Sequence, residues 1–224
     1  IRRQRQMCIR DRYTAVTRFF RAFFYFEKVK RFGDVPWYDI QLGSADELLY
    51  KPRDSRELIL TKMLEDIDYA INSGGLTESA ADPYHVNKWA ALALKAQFCL
   101  YEGTYRKYHN LNLDGHDANF YLDLAAKAAL EIIEKGPYKL YQTGHPEKDY
   151  LTLFAQKDAS PEEYILAIKF DYAIGARHNA SAYTLLPTQG RPGLTRKFIN
   201  TYLMDNGTAF TDKPGWQEMQ FIEE

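Results

Sequence analysis

From about Asp11 to Arg31 the apolar residues Val16, Phe19, Phe20, Phe23, Phe24 and Phe26 return every three or four positions, with Arg18, Arg21, Glu27, Lys28 and Lys30 filling the surface between them. That is the period of an amphipathic helix, and the spacing predicts one over this stretch. The aromatic arc is wide enough to predict cover on more than one side. Gly33 and Pro36 end the pattern, since glycine accepts the left-handed turn at a helix end and proline keeps the residue before it out of the helical region. Phe32 to Pro36 therefore reads as a defined turn, with Trp37 and Tyr38 emerging beyond it.

A second pattern opens at Pro52-Arg53-Asp54-Ser55-Arg56-Glu57. Here Asp54 is expected to cap the first turn, and Glu57, three positions on, to complete a capping box. Ile59, Met63, Ile67 and Ile71 make an i,i+4 stripe widened by Leu60 and Leu64, and Asn72-Ser73-Gly74-Gly75 stops it. After Asp82-Pro83, a third helix is predicted from about Asn87 to Tyr105, with Trp89, Leu92, Ala93, Ala96, Cys99 and Leu100 facing inward. A fourth runs from about Ala118 to Lys135, with Tyr121, Leu124, Ala125, Ala128, Ile132 and Ile133 repeating the pattern until Gly136-Pro137 ends it. At 1.5 Å per residue it is roughly 27 Å long. Small residues on facing stripes and matched lengths predict that these two helices lie antiparallel.

Beyond Pro137 the periodicity breaks up. Loops rich in Gly, Pro and Asp surround Tyr150 to Phe154, and Glu163 to Phe170 reads as a short strand or a buried extended segment. One more helix is predicted from about Thr195 to Met204, carrying Phe198, Ile199, Tyr202 and Leu203, before Asp205-Asn206-Gly207 turns it off. The expected fold class is mainly α: a scaffold of helix pairs over residues 1–136 and a loop-rich continuation over 137–224 with one extended segment and one helix. Only degenerate pieces of the 34-residue tetratricopeptide pattern are present, not copies of it.

Composition supports a folded chain: 46% of the 224 residues are hydrophobic and 26% charged. Twenty-nine basic against thirty acidic side chains leave a net charge of −1, so no global field draws in nucleic acid or an anionic membrane. The local basic group Arg2, Arg3, Arg5 and Arg10 reads as a solvated helix face. Cys8 and Cys99 stand too far apart to form a recognised metal-ligand spacing, and Cys99, between Phe98 and Leu100, reads as a small buried hydrophobe. No stretch is apolar for long enough to cross a bilayer, and no signal peptide is visible. Ile1 at one end and Gln220 to Glu224 at the other read as cut ends of an internal fragment.

Candidate chemistry is sparse. His85, His109, His116, His145 and His178 share no zinc-protease spacing and read as surface or loop residues. Asn112, Asp114, Asp117 and Asn119 around Gly115 raise calcium, but the pattern lacks its closing bidentate Glu, and capping of the fourth helix by Asp117 accounts better for it. Glu65 with Asp68, and Glu131 with Glu134, are carboxylate pairs of a kind common on helix surfaces; only placement across a cleft would make them an acid and a nucleophile. No phosphate-cradling glycine loop, nucleophile elbow or dinucleotide fingerprint is present, so no catalytic residue, metal ligand or cofactor is assigned. The aromatic residues stand out, at 15% of the chain with 17 tyrosines. Those in irregular stretches, Trp37, Tyr38, Tyr84, Tyr138, Tyr141, Tyr172 and Tyr183, could stack on an apolar sugar face beside polar groups that take the hydroxyls, although packing is the ordinary use of each.

Four segments in order resemble the SusD/RagB-like family of outer-membrane nutrient-binding lipoproteins. These are Arg21 to Glu27 with Arg31 to Pro36, Pro52 to Glu57 leading to Leu64 to Asp68, Lys88 to Ala96 with Leu100 to Gly103, and Leu194 to Phe210. The resemblance implies a tetratricopeptide-like α-superhelix, no catalysis and no cofactor. It further implies a lipid-anchored protein on the outer-membrane surface of a Bacteroidetes-type bacterium. There it would sit over a TonB-dependent SusC-like transporter and capture oligosaccharides, or in some members peptides, for import. Family members are longer, so a lipid-bearing amino end and a large carboxyl portion are expected outside this chain. Family ligand residues vary with the ligand, and none is carried onto numbered positions. A generic helical-repeat scaffold that binds another protein, with no small ligand, is the alternative.

Overall fold

The computed structural model describes residues 2–190 and 192–216, with side chains from residue 9 onward. The side chains of Arg2, Arg3 and Arg5, the thiol of Cys8 and the closing residues Gln220 to Glu224 lie outside the described residues. Four long helices carry the fold: α1 Arg2–Phe32, α2 Arg56–Asn72, α3 Lys88–His109 and α4 Ala118–Lys135. Three shorter ones follow, α5 Pro146–Phe154, α6 Ala180–Leu185 and α7 Arg196–Ile199, and among the described residues β-structure is limited to isolated bridges.

The helix starts are set by short polar side chains that take orphan backbone N–H groups. Asn87 accepts from Ala90 N at 2.8 Å, and Asp117 accepts from Phe120 N at 2.9 Å, so the loop before α4 is the helix-initiating turn that its spacing suggested. The start of α2 departs from expectation. Ser55 is the N-cap, accepting from Leu58 N, and the Arg56 N–H is taken by Asp34 Oδ1 from across the preceding turn. Asp54 serves the turn instead, accepting from Trp37 N at 2.6 Å and from Lys51 Nζ at 2.7 Å. Both Asp54 and Ser55 are competent caps, and the antiparallel bridge of Asp54 to Val35 decides between them by aiming the aspartate at the turn. The capping box does not form, because Glu57 is drawn into the core by Arg106.

Successive helices run antiparallel. Asp34 at the end of α1 meets Arg56 at the start of α2, Arg56 meets Glu102 near the end of α3, and Gly103 of α3 lies against Leu122 at the start of α4. Phe19, Phe26, Ile59, Leu60, Met63, Ile67, Phe98 and Cys99 fill one continuous core, and Trp89, Leu92 and Ala128 form a smaller cluster between α3 and α4. The third helix is thus packed on two sides, and it buries Leu94 and Phe98 as well as Trp89, Leu92 and Cys99. Leu100 on α3 and Ile133 on α4, both expected inside, are exposed. The aromatic arc of α1 is likewise half used: Phe19 and Phe26 are buried, whereas Phe20, Phe23 and Phe24 remain exposed. Arg18 and Arg21, which looked like surface filler, reach across to Asp66 of α2. Arg21 grips it in a fork, Nε to Oδ2 at 2.6 Å and Nη2 to Oδ1 at 2.7 Å.

The chain divides into two compact units, Ile1–Lys169 and Phe170–Glu224. Within the first, Tyr150 to Phe154, which the sequence surrounds with loops, belong to a helix opened by Pro146, whose fixed φ suits a first helical turn. Glu163 to Phe170 is neither a strand nor fully buried. Ile165 packs on the core and Ala167 N donates to Pro83 O at 2.8 Å, but Ile168 is exposed. In the second unit the helix predicted over Thr195 to Met204 shortens to α7, capped by Thr195, and the chain then turns back through Gly207 to bridge Leu203 with Ala209. None of the described residues of this unit is buried.

Candidate functional site

On α1 the residues Phe24, Lys28 and Phe32 fall at i, i+4 and i+8, which places them in one row on the helix surface. The Lys28 ammonium lies 5.2 Å from the ring centre of Phe24 and 5.6 Å from that of Phe32. Gly33, at φ 67°, then reverses the chain, as only glycine does without steric cost, so that Val35 and Pro36 return beside the row. Tyr38 and Arg53 complete the rim of an open cleft of about 320 Å³.

The walls are held in place by polar contacts beneath them. Tyr38 N donates to the Tyr25 hydroxyl at 2.7 Å, Tyr25 OH donates to Pro36 O at 3.2 Å, and Tyr38 OH donates to Leu48 O at 2.9 Å. Lys51 Nζ donates to Trp37 O at 2.6 Å and lies 5.0 Å from the Tyr38 ring centre. Burial pushes the Tyr25 phenol above its ordinary pKa, so it stays protonated and keeps donating at neutral pH. Asp54 sits below the usual carboxylate range because Lys51 and the Trp37 N–H favour its charged form. The result is a rigid aromatic wall with two basic groups at its edge, an arrangement suited to binding a ligand.

A second recess in the first unit, of about 440 Å³, lies between α1, α3 and the segment after α5. Phe19, Phe23, Leu94, Phe154 and Tyr164 make it largely apolar, with Gln97 and Glu163 as its polar groups. Glu163 is already engaged by Tyr141 N at 2.7 Å.

The aromatic residues singled out in the sequence do not converge. Trp37 is buried, its ring 4.3 Å from that of Tyr25 and beneath the Arg21 guanidinium. Tyr84 is a strut, its hydroxyl donating to Asp158 and accepting from Ala159 N. Tyr138 receives a hydrogen bond from Asn87, and Tyr141 is tied to Glu163 through its backbone. Tyr172 and Tyr183 belong to the second unit, where Arg177 lies 3.9 Å from the Tyr172 ring centre. Tyr38 alone of the seven lines the aromatic cleft.

Three of the four carboxylates in the two pairs are answered by lysines: Glu65 by Lys62, Asp68 by Lys95, and Glu131 by Lys88 at 3.7 Å. His116 lies in the loop before α4, in keeping with its reading as a surface or loop residue, but it is engaged there. Its Nδ1 sits 2.5 Å from Glu57 Oε1, and its ring stacks on Phe120. Through Glu57 it joins a buried chain of charges. Arg106 donates to Glu57 and to Glu102 Oε1, the latter at 2.7 Å, and Arg56 donates to Glu102 Oε2 from Nη2 at 2.5 Å. Burial opposes the charge on Arg106, but the hydrogen bonds it donates to Glu57 and Glu102 outweigh it and hold its pKa above the ordinary value. Two cations answer two carboxylates, and the chain ties α2, α3 and the loop before α4 together.

No family model matches the chain, and no curated protein matches it in sequence. Among solved structures, a SusD-like protein from Bacteroides fragilis NCTC 9343 matches 89% of this chain and 36% of its own length, at 27% identity and a TM-score of 0.62. In both sequence and fold the chain is similar to this SusD-like protein. A second solved protein, in a crystal structure with a xylogluco-oligosaccharide, matches 73% of this chain and 30% of its own at 22% identity and a TM-score of 0.55, a likeness of fold. The chain therefore spans about a third of the length of these two proteins.

Two features escaped the sequence reading, the buried charges linked through His116 and the placement of Arg53 beside the α1 row. The i,i+4,i+8 spacing of Phe24, Lys28 and Phe32 was a usable signal for the cleft floor. Nothing local to Arg53 or His116 marks either position.

Proposed function

We propose that this chain is the helical scaffold of a non-catalytic glycan-binding protein on the bacterial outer-membrane surface, lipid-anchored as a whole and serving a TonB-dependent SusC-like transporter during import. In this reading residues 1–136 are the scaffold, residues 137–224 begin the loop-rich continuation, and oligosaccharide is the principal ligand. The observation that carries it is the preformed aromatic cleft of Phe24, Phe32 and Tyr38 on a SusD-like framework. Sugar rings present apolar C–H faces that stack on aromatic walls, and a wall already held by hydrogen bonds loses little entropy on binding. The xylogluco-oligosaccharide in a structural neighbour adds support at the level of ligand class. The eight residues lining the cleft include no carboxylate, histidine or serine, which favours capture over turnover.

The test is calorimetric titration of the intact parent protein against panels of oligosaccharides and peptides, with affinity purification of its membrane partners. Binding of at least one saccharide class is expected, together with recovery of the transporter. Uniformly silent titrations and no transporter in the purified material would sink the reading.

A further inference from the structure

The aromatic cleft differs from a neutral-sugar site in what it offers to hydroxyl groups. A neutral saccharide both donates and accepts, so its sites ordinarily supply carboxylate or amide acceptors as well as donors. Here the hydroxyls of Tyr25 and Tyr38 are engaged, donating to Pro36 O and Leu48 O. None of the lining side chains is Asp, Glu, Asn or Gln. Apart from the Tyr38 oxygen, which can still accept, what remains at the rim is Lys28 and Arg53, both pure donors and both charged. The carboxylates nearest in sequence are committed elsewhere: Asp34 to Arg56 N, Asp54 to Lys51 and Trp37 N, Glu27 to Lys30. Among the described residues no carboxylate pairs with either rim cation. Lys28 lies beside the phenyl faces of Phe24 and Phe32.

Resting on the glycan-binding reading, we infer that the cleft takes an anionic saccharide, its ring stacked on the Phe24 to Phe32 row and its acid group paired with Lys28 and Arg53. A space of about 320 Å³ is at the small end for a ligand pocket and suits about one or two sugar rings. Arg53 presents a planar fork that matches a carboxylate in two hydrogen bonds, and Lys28 adds a second point of charge. Carboxylate and sulfate ester share this chemistry, and the experiment separates them.

The full chain is titrated at low ionic strength with trigalacturonate, with the neutral trisaccharide made by reducing its carboxyl groups, and with a sulfated disaccharide. Trigalacturonate is expected to bind at least ten-fold more tightly than its neutral counterpart and to weaken as salt is raised. The sulfated probe binding more tightly than trigalacturonate would assign the anion as sulfate and uphold the site. Arg53→Gln and Lys28→Gln are each expected to remove most of the preference while leaving the unfolding midpoint unchanged, and Arg177→Gln in the second unit to leave the preference intact. Equal affinity for charged and neutral trisaccharides, or a preference that survives the double substitution, overturns the inference and leaves glycan binding standing. Silence toward every saccharide overturns both.

Discussion

The buried charges carry the sharpest consequence at the level of single residues. Glu102 and Arg106 are fully enclosed, and each carboxylate oxygen of Glu102 answers a guanidinium. Such a chain gives little net stability relative to a well-packed apolar core, because withdrawing the charges from water costs nearly what their attraction returns. Breaking it is a different matter, since the partner charges stay buried and unanswered. Glu102→Gln leaves Arg56 without its carboxylate and Arg106 with Glu57 alone, and is expected to cost about 3–5 kcal/mol in urea unfolding. Lys30→Ala, which removes an exposed ion pair with Glu27, is expected to cost less than about 1 kcal/mol in the same measurement. Comparable losses for the two variants would show that the buried chain does not hold α2, α3 and the loop before α4 together. Cys99 illustrates the same environment acting on a thiol, its pKa pushed up to about 12 by burial, so that it stays protonated and behaves as a small apolar group.

Among the elements, the pair α3 and α4 is set by how closely their backbones approach. A β-carbon placed on Gly103 would lie 2.7 Å from Leu122 Cγ and 3.0 Å from Leu122 N, and the backbone nitrogen cannot rotate away. Alanine is the better helix former by about 1 kcal/mol, whereas overpacking costs about 1–3 kcal/mol, so Gly103→Ala is expected to destabilise on balance. Gly43→Ala, with no atom within 4 Å of the added carbon and no positive φ, is expected to be neutral or slightly stabilising. Equilibrium unfolding of both variants reads the contrast, and a stabilised Gly103→Ala would mean that the helices separate more easily than this packing implies. Helix α4 is legible in the sequence because period, capping residue and stop signal agree there, and Ala118 to Lys135 is found where Asp117 and Gly136 place it, whereas α1 starts at Arg2, well before the predicted Asp11. Where two neighbouring residues can do one job the sequence does not choose, as with Asp54 and Ser55; the choice is made by a bridge to Val35, a contact between residues far apart in the chain. Arg53 and His116 were unreadable for the same reason. Each acquires its role from groups that the turn after α1 or the loop before α4 brings near.

For the whole molecule the contrast is between a unit with a core and a unit without one. In Ile1–Lys169 the four long helices bury a continuous apolar cluster and hold their charges in forks and chains. In Phe170–Glu224 the described residues form short helices and single bridges, with large apolar side chains such as Ile174, Leu185 and Tyr202 left in water. Isolated helices of four and six residues are too short to be stable by themselves, since nucleation costs more than so few hydrogen bonds return. Local opening free energy follows buried apolar contact, so the two units are expected to differ widely in the protection of their amides. Hydrogen exchange followed by mass spectrometry should find peptides from α2, α3 and α4 protected up to the global unfolding limit. Peptides from 170–190 and 192–216 should exchange within the shortest labelling times. Equal protection across the two units would require a buried surface in the second that its exposed side chains do not provide, and the division of labour drawn from the packing would then be wrong.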